Sequence, residues 1–237
     1  MPEPVVEIDR LRFRWPAEHA PCLDITHFQI EGGERIFLHG PSWSGKSTLL
    51  ALIGGVLTPE TGTIKVLDQD LARMGAANRD RYRADHIGFI FQQFNLVPYL
   101  SVINNVLLPC RFSRRRRERA ESGGRAAYDV AVGLLEHLDI AASLRTRPVV
   151  QLSVGQQQRV AAARALIGQP ELLIADEPTS SLDAGRQTAF LNLLVGECER
   201  AGVTLLFVSH DMRLASNFTR VVALSSFNGA AVEAEAA

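Results

Sequence analysis

Lysine is almost missing from this chain of 237 residues: of its 25 basic residues only Lys46 and Lys65 are lysines. A site that holds one of them is less easily ascribed to composition. Cysteine is scarce as well. Cys22, Cys110 and Cys198 stand far apart, with no paired or metal-ligand spacing, which excludes a disulfide framework and leaves a reducing cytoplasm as the expected setting. There is no long apolar run: the longest, residues 49–57, contains two glycines and falls short of the ~20 residues a spanning helix needs. Met1-Pro-Glu-Pro places acid and proline where a signal peptide needs basic and apolar runs, so no such leader is expected. An excess of one charge is lacking too. With 25 basic and 26 acidic residues the net charge is −1, which gives no global reason to expect nucleic acid. Disorder is excluded because 46% of the residues are apolar, enough to offset the entropy of ordering.

Short apolar segments bounded by turn formers predict strands near residues 5–13, 35–39, 63–67, 87–91, 172–175, 204–209 and 221–224. Several are apolar at consecutive positions, as in Leu172-Leu-Ile-Ala and Leu205-Leu-Phe-Val. That pattern suits parallel strands covered on both faces by helices. Helices are expected over residues 47–53 and over residues 129–144, the latter with Val130, Leu134, Leu135 and Leu138 on one face. A third carries Val160, Ala163, Arg164 and Ile167 on one face and ends at Gly168. The strand signal vanishes between residues 95 and 169 and then returns, which predicts an α/β core with a helical insertion. The arginine run of residues 111–121 falls inside it and reads as a solvated loop or helix face, or as a contact for anionic lipid headgroups. Residues 230–237 read as a frayed tail.

Gly40-Pro41-Ser42-Trp43-Ser44-Gly45-Lys46-Ser47, followed by Thr48, fits G-x-x-x-x-G-K-[ST]. Shuffling this composition produces such a match about once in a thousand chains. The chemistry explains the spacing: glycines let backbone N–H groups turn inward around phosphate oxygens, and the helix that follows presents its positive end. Lys46 can reach the terminal phosphates and the Ser47 hydroxyl can ligate Mg²⁺. The loop therefore reads as a nucleoside triphosphate site. Downstream, Leu172-Leu-Ile-Ala-Asp176-Glu177 is a buried strand ending in two carboxylates. Asp176 suits Mg²⁺ and Glu177 suits a general base acting on water. Leu152-Ser153-Val154-Gly155-Gln156 opens a helix with a capping box, and a helix start rich in N–H groups can also bind an anion.

With Gln92 in Phe89-Ile-Phe-Gln-Gln, Ser180-Ser-Leu-Asp183 and Val208-Ser-His210-Asp, these motifs make the chain resemble the nucleotide-binding subunit of ATP-binding-cassette (ABC) transporters over nearly its whole length. The segment from Phe91 through Asn95, Tyr99 and Val106 is most similar to the lipoprotein-releasing and macrolide-exporter branch. The resemblance implies one nucleotide-binding domain, residues 1–237. Its P-loop NTPase core would be RecA-like, a mostly parallel sheet with an antiparallel β subdomain, from residues 1–94 and 170–237. A helical subdomain, residues 95–169, would carry the signature. It implies ATP and Mg²⁺ as cofactors, and two copies that sandwich two ATP molecules. Each site would join the phosphate loop of one copy to Ser153, Gly155 and Gln156 of the other, with Asp183 lining the interface. Glu177, Lys46, Gln92 and His210 would be catalytic, with Ser47, Gln92 and Asp176 arranging the metal. An aromatic stacks on adenine in this family, and Trp15 stands at about the right place, with Phe13 as its rival.

The implied partners are a second copy and integral membrane permease subunits of a four-helix type with a large periplasmic domain. The implied location is the cytoplasmic face of the inner membrane, peripheral through the permease. The same motifs admit a non-transport regulator acting through a similar membrane partner. They admit less readily a soluble ABC ATPase acting on ribosomes or DNA. Two positions depart from the family: Trp43 stands where glycine is usual and Val154 where glycine is common. Bulk at residue 43 matters if that residue needs φ > 0, where glycine is the default. In the implied sandwich the two positions face each other across the dimer.

Overall fold

The computed structural model describes residues 4–230; the expected tail beyond Ala230 lies outside them. The chain divides into two compact units, residues 1–83 with 206–237, and residues 84–205.

In the first unit β1 (Pro4–Phe13) lies between β2 (Leu23–Glu31) and β4 (Thr61–Val66), and β5 (Gln69–Asp70) follows β4, all antiparallel. The register sets Ile8 opposite Phe28 and Ile64, and Val6 opposite Ile30 and Val66, so alternate side chains fill one buried face. Gly62 sits where β1 bulges against β4: its φ is +85° and an added Cβ would lie 2.2 Å from the Arg10 carbonyl. Only glycine fits there. β3 (Arg35–His39) is a different kind of strand. Ile36, Phe37 and Leu38 are all buried, and it pairs in parallel with β9 (Arg220–Ala223). Helix α1 (Lys46–Ile53) is buried on nearly every side and stops at Gly54-Gly55.

α2 (Ala76–His86) and β8 (Thr204–Val208) carry the chain across the boundary between the units. In the second unit β6 (Ile87–Ile90) pairs in parallel with β7 (Leu172–Asp176), Ile87 opposite Leu172 and Ile90 opposite Ala175. Five helices complete it: α3 (Val102–Phe112), α4 (Arg114–Ala120), α5 (Ala127–His137), α6 (Val154–Leu166) and α7 (Ala184–Ala201). The helix expected over residues 129–144 is shorter. It ends at His137, because Asp139 takes φ +57° and turns the chain so that Leu138 and Ile140 are both buried. Its buried face is Ala131, Leu135 and Leu138, one step round from the one expected.

The arginine run is a solvated helix face over Arg111, Arg114, Arg115 and Arg117, which are exposed, but not at Arg116. Arg116 is 2% exposed and donates to the carbonyls of Ala165 and Ile167, the latter from Nε at 2.7 Å, closing the C-terminal end of α6. Burial pulls its pKa down to about 10, so it stays charged at neutral pH. Arg115 and Arg119 reach Glu171 at 2.6 and 2.8 Å, and His86 reaches the same carboxylate at 3.0 Å. Burial pushes Glu171 up, but hydrogen bonds from His86 and Arg115 and the charges of His86 and Arg119 outweigh it and hold it at about 2. Arg114 pairs with Glu118. The run thus anchors both the end of α6 and the start of β7.

Candidate functional site

In the first unit β3 delivers the chain to the glycine-rich loop, and α1 carries it away. Gly45 precedes α1 at φ +99°, and a Cβ there would stand 3.0 Å from Leu23 Cδ2 and 3.2 Å from Cys22 Sγ. Glycine is required for conformation and for space alike. Among the described residues no side chain caps α1, so its first-turn amides, those of Lys46, Ser47 and Thr48, can serve an anion. A Cβ on Gly40 would lie 3.0 Å from Ser44 Oγ. That hydroxyl is buried and has no hydrogen-bond partner among the described residues, an unmet polar group inside the loop. Lys46 is 6% exposed and its Nζ donates to the carbonyls of Gly40 at 2.9 Å and Pro41 at 2.6 Å. An ammonium has three N–H groups, which leaves one for a phosphate oxygen. Ser47 is exposed; Thr48 is buried and its Oγ1 accepts from Cys22 Sγ at 3.7 Å.

Pro41, Ser42 and Trp43 form the exposed tip of the loop. Trp43 does take φ +68°, yet its side chain is 100% exposed and stands clear of the cradle. A bulky residue in this region costs about 1–3 kcal/mol. His210 follows β8 and is exposed. It sits in a turn in which Asp211 N–H donates to Ser209 Oγ at 3.1 Å, while Ser209 N–H donates to Leu38 O at 3.3 Å, beside the end of β3. The Arg213 side chain hydrogen-bonded to Asp211 holds its carboxyl below the usual range. Trp15 is 40% exposed and meets buried Phe13 edge-on, ring centroids 5.2 Å apart. The two border a cleft of about 370 Å³ that also involves Arg14, Glu18, Thr58 and Glu60. Of the two aromatics, Trp15 is the one with a face to offer.

In the second unit β6 leads to exposed Gln92. Just beyond, Phe94 and Asn95 take φ +59° and +48°, and both of their carbonyls accept from Arg164 of α6 at 2.6 Å. β7 ends at Asp176. Glu177 follows at φ +45°, and its carbonyl accepts from Ser180 N–H at 3.2 Å, a tight turn that sets the carboxylate. Gln158 of α6 and Gln187 of α7 donate to the carbonyls of Pro178 and Thr179 at 2.7 and 3.1 Å. Ser153 caps α6 through the anticipated box. Its Oγ accepts from Gln156 N–H at 3.4 Å and its own N–H donates to Gln156 Oε1 at 2.9 Å. Ser153, Gly155 and Gln156 face Leu182, Arg186 and Phe190 across a cleft of about 300 Å³. Asp183 is the cap of α7, accepting from Arg186 N–H at 3.0 Å.

Each unit therefore gathers part of the expected residues: Gly40–Thr48 beside the His210 turn in one; Ser153, Gly155, Gln156, Asp176 and Glu177, tied through Gln158, in the other. The residues the motifs did not reveal are those that hold the loops, Arg164, Gln158 and Gln187. Their signal is a polar side chain set among the apolar positions of a helix. Each unit offers oxygen donors of the kind a hard cation takes, the Ser47 hydroxyl in the first and the Gln92 amide and Asp176 carboxylate in the second. Among the described residues no cluster of three or more His, Cys, Asp or Glu side chains can hold a metal.

Residues 23–180, more than half of the chain, match the family described as ABC transporter. The lipoprotein-releasing system ATP-binding protein LolD 2 of Rhodospirillum rubrum is 40% identical over 193 residues, 81% of this chain and 80% of that protein. Its namesake from Caulobacter vibrioides is 36% identical over 226 residues, 94% of this chain and 96% of that protein. Among solved structures, a dimeric bacterial ABC transporter cassette is 32% identical with a TM-score of 0.80, covering 92% of this chain and 93% of that one. A dimeric post-hydrolysis cassette bound to ADP and phosphate matches at 32% identity and a TM-score of 0.79, with the same coverage.

Proposed function

The chain belongs to the ABC transporter family, and from that premise we propose how its residues divide the work of an ATP-hydrolysing transporter subunit that dimerises around two nucleotides. The observation that carries the reading is the loop of residues 40–48: an uncapped helix start, an unpartnered Ser44 hydroxyl, and a lysine with one N–H to spare. These are the parts a triphosphate needs. On the first unit's side, the loop amides and Lys46 take the β- and γ-phosphates, His210 contacts the γ-phosphate, and Trp15 stacks on adenine. On the partner's side, Ser153 and the Gly155 N–H take the remaining γ-phosphate oxygens, supported by Gln156 and closed by the Asp183 turn.

Hydrolysis needs an oriented water and somewhere for its proton to go. Glu177 accepts that proton as the water oxygen attacks the γ-phosphorus, and the bond from phosphorus to the β,γ-bridging oxygen breaks, leaving ADP and phosphate. The tight turn at Glu177 and the glutamine contacts to Pro178 and Thr179 keep this carboxylate in place. Ser47, Gln92 and Asp176 would hold Mg²⁺, which supplies charge neutralisation of the phosphate oxygens. Lys46, His210 and Ser153 stabilise charge that develops on the transferred group.

No helix of the described residues is long and apolar enough to cross a membrane. Relatives named for lipoprotein release support a membrane permease as the device this cassette drives; in this reading the permease is of the four-helix type and the cassette sits at the cytoplasmic face of the inner membrane. Two measurements test the proposal. Glu177→Gln is expected to bind ATP and to turn over at least about a hundredfold more slowly; ordinary turnover would remove Glu177 from its role. Co-expression with a permease of the lipoprotein-releasing type is expected to bring the chain into the membrane fraction, and a chain that stays apart would remove the coupling.

A further inference from the structure

Trp43 breaks two local rules at once. A large aromatic stands wholly in solvent, and it holds a left-handed backbone that side chains of its size avoid. Isolated exposed hydrophobic residues are ordinary. One that also strains the backbone, with no contact among the described residues to offset it, points to a gain made elsewhere. The position matters as well. Trp43 is at the exposed tip of the phosphate loop, two residues before the glycine that heads α1.

In the second unit the other half of the site has an apolar rim of its own. Val150 and Val154 are 61% and 49% exposed on either side of Ser153. Valines exposed beside a polar cap gain nothing by it in the isolated chain. We infer that Trp43 is a dimer contact: when two copies close around ATP, its ring packs on the partner's Val154. This rests on the two-copy reading above and on the dimeric state of the similar solved cassettes. Tryptophan is the residue most often found as an energetic anchor at protein interfaces, where a rigid ring buries a large area at little entropic cost.

The chain has two tryptophans, which permits a direct test. The full-length chain carrying Glu177→Gln, to arrest turnover, and Trp15→Phe, to leave Trp43 as the only tryptophan, is titrated with MgATP. Sedimentation and tryptophan emission are followed together. Dimer formation is expected to shift Trp43 emission to the blue and to lower its quenching by acrylamide over the same concentration range. At saturating nucleotide, Trp43→Gly and Val154→Gly are each expected to weaken dimerisation at least about tenfold, and the double variant little further. The difference spectrum between Trp43 and Trp43→Phe with Trp15 retained gives the same reading without that background. A dimer in which Trp43 stays fully quenchable, or strictly additive variants, would overturn the contact and leave the sandwich standing. A blue shift completed while the chain is still single would assign the ring to the nucleotide and also overturn it. No dimer at saturating MgATP would overturn the two-copy reading itself.

Discussion

Arg164 donates to the carbonyl of Asn95 at 2.6 Å, tying the helix that begins with the signature serine to the segment just beyond Gln92. The second guanidinium nitrogen takes the Phe94 carbonyl at the same distance. Both of these residues are in the left-handed region, so the arginine satisfies a backbone that the regular hydrogen bonds of a strand or helix do not. Burial lowers its pKa, but the bonds it makes are those of a cation. Arg164→Met is expected to cost about 2–3 kcal/mol, because two carbonyls lose a charged donor. For a chain of this size that is a fall of about 4–12 °C in Tm. Steady-state kinetics should show a larger loss in kcat than in ATP affinity, since Gln92 is displaced while the phosphate loop is untouched.

Glu171 makes the stability of this protein sensitive to acid. Its carboxyl titrates at about 2 in the folded chain, below the ~4.3 of an unfolded glutamate. A depressed folded pKa means that its contribution is fully present above the unfolded value and is lost as the pH falls from there towards 2. After allowance for solvent screening, the contribution is about 1–2 kcal/mol. Glu171→Gln should therefore be less stable than the parent at pH 7 in urea melts, and the gap between the two should close below pH 4.

Gly45→Ala tests the phosphate cradle. The new methyl meets Leu23 and Cys22 at 3.0–3.2 Å in a backbone at φ +99°, a combined cost of about 2 kcal/mol or more. Titration with a fluorescent ATP analogue should show affinity reduced more than about tenfold. Retained affinity would mean that the loop tolerates a different course.

The three cysteines should separate by reactivity. Cys22 is half-buried beside Gly45 and Thr48, whereas Cys110 and Cys198 are 6% and 1% exposed, and burial pushes the Cys110 thiol up. A maleimide should label Cys22 first, by about an order of magnitude or more, and saturating ATP should slow it. Mass spectrometry of the labelled peptides measures both.

The sequence made some elements plain and hid others for physical reasons. Strands β3, β7 and β8 are buried on both faces, so their apolar residues run consecutively and mark the segment almost to the residue. β2 was not expected because Asp24, His27 and Gln29 interrupt its apolar positions, and α3 because Pro109 lies inside it. α7 was hidden by the polar residues of its first two turns. The phosphate loop, the acidic pair and the capping box of Ser153 are local in sequence and were legible as such. What holds them is not local. Arg116 meets Ile167 across 51 positions and Arg164 meets Asn95 across 69. A run of arginines looks the same whether it faces water or carbonyls.

The two arginines also determine what α6 can transmit. Arg116 grips the C-terminal end of that helix and Arg164 its last turn, while Ser153 stands at the far end, about 20 Å away for a helix of this length. Gln158 and Arg159 tie the same helix near its start to Pro178 and Asp139, so the helix moves as one piece with its surroundings, and a tilt of about three degrees about the gripped end would swing the serine by about 1 Å. A displacement of that size is enough to make or break a hydrogen bond to a phosphate oxygen. In the two-copy reading proposed above, small adjustments near Gln92 would in this way be felt as the gain or loss of a contact in the opposite subunit's site.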